Sequence, residues 1–165
     1  PLAQKSPLEI ISPSPEDTQN IGRALGAHAS PGDVFLLIGP LGSGKTCLTQ
    51  GIAWGLGIRE HARSPTFVMA TEYHGRLALY HLDLYRIDHV AELAELGLEE
   101  YLSGDGVTVV EWADRAPQAF PADCLRISLE SIDEDTRRVT MTAEGDRHMA
   151  LLATLKSRAS TVENR

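Results

Sequence analysis

The residues best suited to chemistry are Gly39-Pro40-Leu41-Gly42-Ser43-Gly44-Lys45-Thr46, which satisfy G-x-x-x-x-G-K-[ST] at every fixed position. Glycines in such a loop tolerate positive φ and let successive backbone N–H groups converge on one concavity that suits phosphate oxygens. Contacts are expected from Leu41, Gly42, Ser43 and Gly44, and from Lys45, Thr46 and Cys47 at the start of a following helix. The partial positive charge of that helix end favours an anion. Lys45 adds a full charge, and the Thr46 hydroxyl is suited to ligate Mg²⁺. An ordinary glycine turn would explain the glycines but not the Lys-Thr pair behind them.

Hydrolysis of a bound triphosphate needs more: an acid to hold the metal and a group to orient water. Such residues are expected where apolar strands stop at polar positions. Asp83 closes Leu79-Tyr80-His81-Leu82, as a Walker-B-type carboxylate would, the plainer alternative being a helix or turn cap. Glu111 closes Val107-Thr108-Val109-Val110 and could contact Mg²⁺ or activate water, or be an edge charge. Lys45, Asp83 and Glu111 are therefore the catalytic candidates, and Thr46, Asp83, Glu111 and Thr66 the metal candidates. Thr66, in Ser64-Pro65-Thr66-Phe67, has the position of a switch threonine, though Ser-Pro-Thr also describes a plain turn. His81 reads as a hydrogen-bonded structural residue or a participant in the chemistry. Arg86 could pair with Asp83, bind phosphate or solvate the surface. Trp112 could shield the site, meet a partner or fill the core.

These residues need a scaffold. Val34-Phe35-Leu36-Leu37-Ile38 has the length and composition of a buried parallel strand leading into the loop. Leu48, Ile52 and Leu56 recur at helical spacing behind it, with Gly55 and Gly57 marking the end. Upstream, Leu8 to Ser12 reads as a short strand. Ser14 is expected to cap a helix with Pro15 at its first position, and Ile21, Leu25 and His28 form that helix's apolar face. Downstream, the pattern predicts a hairpin (67–73 and 77–82), a helix over 90–102 and a strand over 107–110. A second hairpin (125–129 and 139–142) and a last helix over about 146–157 follow. The expected fold is a single α/β P-loop NTPase domain over residues 8–157, with loose ends at 1–7 and 158–165. Its mixed, mainly parallel sheet carries antiparallel hairpins, with helices on both faces and residues 34–38 and 107–110 at the centre.

Composition narrows the function. With 165 residues, 42% hydrophobic and 23% charged, the chain suits one folded domain. No apolar run spans a bilayer, and the first residues lack a signal-peptide core, so a cytoplasmic protein with no membrane partner is expected. The net charge of -8 argues against gripping nucleic acid through the whole surface. Cys47 and Cys124, the two cysteines, fit a reducing compartment better than a disulfide scaffold.

The glycine loop, then G-L-G-I (55–58), S-P-T-F (64–67), Y-H-L-D-L-Y-R (80–86) and V-E-W (110–112), in that order and spacing, resemble the TsaE (YjeE) family of small bacterial ATPases from about Ser14 to Thr142. The resemblance implies ATP and Mg²⁺ as ligands and a role in threonylcarbamoyladenosine modification of tRNA. It also implies action on a complex of TsaD, which transfers the threonylcarbamoyl group to tRNA, with TsaB, so that tRNA is met only indirectly. By the same resemblance, Thr18 and Arg137 belong to segments flanking the adenine. Pro40 stands where the family often has an acid, and Cys47 where a second threonine is common.

Other functions fit the same loop. A small-molecule kinase would need an arginine-bearing lid, and residues 92–102 contain no arginine. A GTP switch would need N-K-x-D, which the chain lacks. A nucleotide-gated binding module, in which hydrolysis is incidental, differs from an ATPase only in whether turnover is required.

Overall fold

Five apolar residues in a row, Val34–Ile38, make a strand that is stable only when both faces are covered. In the computed structural model, which describes residues 6–62 and 70–163, this strand sits in the middle of a seven-stranded sheet. The chain runs β1 (Leu8–Ser12), α1 (Pro15–His28), β2 (Val34–Ile38), α2 (Lys45–Gly55), β3 (Ala70–His74), β4 (Ala78–Asp83), α3 (Ala91–Leu96), α4 (Leu98–Leu102), β5 (Val107–Glu111), β6 (Cys124–Ser131), β7 (Arg137–Glu144) and α5 (Asp146–Glu163). Strand order is β1-β7-β6-β2-β5-β4-β3. The central strands β6, β2, β5 and β4 are mutually parallel, and antiparallel pairings add β7 and β1 at one edge and β3 at the other. Both expected central strands are present and adjacent. The expected S-P-T-F turn with Thr66, and residues 67–69 of the expected first hairpin strand, lie outside the described residues.

Alternation along each strand divides the core in two. Phe35, Leu37, Leu79, Val107 and Val109 face Leu25, Leu48, Ile52 and Leu152 from α1, α2 and α5. Leu36, Leu82 and Val110 face the opposite side, against Leu93 and Leu98 of α3 and α4. Because the period is two, His81, Asp83 and Glu111 share the face that carries α2.

Local signals account for the helix ends. Ser14 caps α1, accepting from the Asp17 N–H at 3.2 Å, with Pro15 in the first turn. The helix expected over 90–102 is instead two short helices, because Gly97, at φ +79, takes the left-handed conformation that ends α3 and re-aims α4. With no glycine or proline after Gly145, α5 continues to Glu163 rather than stopping near Ser157.

The helix that presents the loop is held by backbone proximity. Gly22 and Gly26 of α1 lie against Gly51 and Gly55 of α2, so a Cβ on Gly51 would strike the Gln19 carbonyl and one on Gly26 the Ile52 carbonyl. Neither obstruction is the movable end of a side chain. Gly51→Ala is therefore expected to destabilise the fold by about 2 kcal/mol, as overpacking does, seen as a lower urea midpoint at unchanged slope.

Candidate active site

At the C-terminal end of the parallel strands, β2 turns into α2 through the glycine loop. Gly44 at the helix start has φ +101, which only glycine adopts without strain. Among the described residues no side chain caps α2 at Gly44, and the amides of a helix's first turn point toward the loop. A Cβ on Gly42 would meet nothing within 4 Å, and Ser43 Oγ is buried with no hydrogen-bond partner among the described residues. This is a cradle with open donors, which suits phosphate oxygens.

The cradle opens into a cleft of about 350 Å³ lined by Leu41, Gly42, Gly44, Lys45, Thr46, Cys47, Asp83, Tyr85, Glu111 and Trp112. Parallel pairing of β4 with β5 puts Asp83 in register with Glu111. Thr46 Oγ1 donates to Glu111 Oε1 at 3.3 Å. Lys45 Nζ donates to the carbonyls of Gly39 (2.5 Å) and Pro40 (2.9 Å) and lies 3.9 Å from the centre of the Trp112 ring. All the catalytic candidates, and the metal candidates Thr46, Asp83 and Glu111, thus meet at one site.

Electrostatics follow from burial. Desolvation holds the Lys45 ammonium below the usual lysine range, although Glu111, Asp83 and Asp114 pull it back up. Desolvation pushes the Asp83 carboxyl up, and the charge of Glu111 adds to this, while the Tyr85 N–H at 2.9 Å, His81 and Lys45 oppose it. Glu111 is only 2% exposed. Its Oε2 is 2.5 Å from Nε2 of the fully buried His81, so His81 is coupled to the site rather than an isolated structural residue.

The remaining candidates sort cleanly. Cys47 reaches the Pro15 carbonyl through Sγ (3.3 Å), and burial raises its thiol, so it is no ready nucleophile. Thr18 and Arg137 border Gly44 rather than lining the cleft. The Thr18 hydroxyl is buried and bonded to Ser12 Oγ at 2.7 Å, while Arg137 braces the Gly42 carbonyl at 3.3 Å. Arg86 is exposed, and the charges that act on Asp83 are those of Glu111, His81 and Lys45. Trp112 is half-buried, with φ +59, and its ring meets Tyr85 with centroids 5.0 Å apart. Sequence reasoning gave no role to Tyr85 or Arg115, whose guanidinium lies 5.2 Å from the Tyr85 ring. Sequence reasoning did not link His81 to Glu111; the available signal is the alternation of His81 with Asp83, which puts both on one face of β4.

Strand, glycine cradle and helix, with a lysine and threonine in the first turn and two acids on neighbouring strand tips, define a phosphate-binding-loop α/β protein. The family model described as threonylcarbamoyl adenosine biosynthesis protein TsaE matches residues 12–139. The chain is 43% identical over 152 residues to the tRNA threonylcarbamoyladenosine biosynthesis protein TsaE of Bacillus subtilis, covering 92% of this chain and 94% of that one. It is 39% identical to the TsaE of Treponema pallidum over 81% of this chain and 99% of that one. A crystal structure of Bacillus subtilis YdiB superposes with a TM-score of 0.81 at 39% identity, covering 93% of this chain and 97% of that one. The chain belongs to the TsaE family.

An acid whose folded pKa is raised adds stability below its unfolded pKa and loses it as pH rises through the folded value. Ionised Asp83 is therefore a burden on the fold at neutral pH. Asp83→Asn, which still accepts from the Tyr85 N–H, is expected to raise the thermal midpoint measured without nucleotide at pH 7. The gain should shrink toward pH 4, as followed by circular dichroism.

Proposed function

We propose that this chain binds Mg²⁺-ATP in the cleft and hydrolyses it slowly, as an accessory protein for threonylcarbamoyladenosine modification of tRNA. The single observation that carries the hydrolytic reading is that Lys45, Thr46, Asp83 and Glu111, drawn from three separate elements, all line one cleft at the N-terminus of α2. The biological setting is supported by family membership and by the names of the relatives.

The residues present fit these ligands. The start of α2 at Gly44 and the open cradle at Gly42 suit an oligophosphate. One hydroxyl and two carboxylates are hard oxygen donors of the kind magnesium takes. Among the described residues no group of three His, Cys, Asp or Glu side chains is assembled to hold a metal alone. Thr46, Asp83 and Glu111 would hold the magnesium ion, and it would supply charge neutralisation on the phosphoryl oxygens.

Each residue then has a task. The amides from Gly42 to Thr46 orient the phosphates, and Lys45 exchanges its loop carbonyls for phosphate oxygens. Glu111 orients the attacking water and accepts its proton, a task suited to a buried carboxylate. Trp112 and Tyr85 wall the cleft beside the reacting end. The acidic net charge of -8 suits a protein that meets tRNA only through partners, here a TsaD–TsaB complex, in the cytoplasm.

ATP hydrolysis should be slow for the chain alone and stimulated by purified TsaB–TsaD, and lost when Mg²⁺ is chelated. Glu111→Gln should retain ATP binding and lose at least about a hundredfold in turnover, in the range of a general base. Lys45→Ala should lose much of the binding, measured by titration with a fluorescent ATP analogue. Turnover unaffected by both substitutions would exclude this cleft as the site.

A further inference from the structure

Among the groups not used by the reading above, His81 stands apart. It sits inside an apolar layer with Leu79 beneath it and Val109 as its register partner on β5, and its exposure is zero. An aliphatic residue would fill such a place at lower cost, because a buried polar group must find a partner. The imidazole makes one: Nε2 lies 2.5 Å from Glu111 Oε2, while Nδ1 has no hydrogen-bond partner among the described residues. A carboxylate oxygen accepts, so in this pairing the imidazole donates through Nε2.

We propose that His81 is a positioning residue for Glu111. Rotation of a glutamate carboxylate about its last torsion is soft and roughly two-fold. A short hydrogen bond to a charged acceptor is strong enough to hold that rotation. By anchoring Oε2 against the sheet, His81 turns Oε1 toward Thr46 Oγ1, the side on which phosphate and water would lie. The pairing is built into the sheet: His81 and Asp83 occupy alternate positions of β4, so one strand presents an acid to the cleft and braces the acid of its neighbour. Fully buried behind the cleft, His81 acts through Glu111. This inference rests on the ATPase reading of Glu111.

The test compares His81→Leu, His81→Gln and His81→Asn in the full chain by single-turnover ATP hydrolysis, with fluorescent ATP-analogue affinity and thermal midpoint measured alongside. Glutamine carries an N–H about as far from the backbone as Nε2, and asparagine stops short of it. His81→Leu should hydrolyse at least about tenfold more slowly with affinity within about threefold of the parent, the mark of an interaction needed in the transition state rather than in binding. His81→Gln should return to within about threefold of the parent rate, and His81→Asn should not. If His81→Leu fails to fold, the Gln–Asn comparison decides alone. Parent-like rates in His81→Leu, or equal losses in His81→Gln and His81→Asn, would overturn the proposal. Glu111→Gln run in parallel separates the two readings. If it hydrolyses like the parent, the assignment of Glu111 fails and this inference with it. If it is slow while His81→Leu is normal, only the role of His81 fails.

Discussion

Two carboxylates and an ammonium share one largely buried corner, and the parallel register of β4 and β5 forces them to do so. Asp83 and Glu111 are register partners on the same sheet face, and α2 brings Lys45 and Thr46 down onto them. Burial opposes ionisation of Asp83, and the charge of Glu111 adds to the penalty. The fold offsets this with fixed dipoles: His81 and Thr46 on Glu111, and the Tyr85 N–H on Asp83. The site thus concentrates charge at some cost to the fold, a trade common where function and stability compete.

That arrangement depends on where α2 points. The four glycines along the α1–α2 seam let the two helix backbones approach so closely that any side chain there would collide with a carbonyl. Leu25, Leu48 and Ile52 then lock both helices onto the sheet. On the loop side, Gly39 packs against the Leu129 carbonyl of β6, with a hypothetical Cβ only 2.6 Å away. The cradle is therefore clamped from the helix layer and from the neighbouring strand, as preorganisation of an anion site requires.

The outer wall is built differently. Trp112 leaves β5 with φ +59, unusual for a bulky residue and costing on the order of 1 kcal/mol or more. The turn swings the indole back over Lys45 and against Tyr85, with Arg115 stacked nearby. The aromatic and cationic contacts recovered there are of similar size to that cost. This wall is more exposed than the cradle, since Tyr85 is 43% and Leu41 79% open to solvent.

Much of this was readable in the chain itself. The glycine loop, the apolar runs of β2 and β5, the Ser14 cap and the acids closing two strands are local patterns, set by backbone sterics and the periodicities of helix and strand. They determined the fold class and the location of the phosphate cradle. Strand order was not legible, because an apolar run does not say which neighbour it will pair with. The break at Gly97 was missed because a glycine within a helical pattern is tolerated until packing selects the left-handed turn. The partnership of His81 with Glu111, the half-turn of Trp112 and the use of the Thr18 hydroxyl on Ser12 were decided only in three dimensions. Each joins or re-aims residues whose chemistry is plain in the sequence but whose distances are set by how strands align and helices approach. Sequence determined which groups are present; tertiary packing decided which of them touch, because burial and register are properties of the whole sheet.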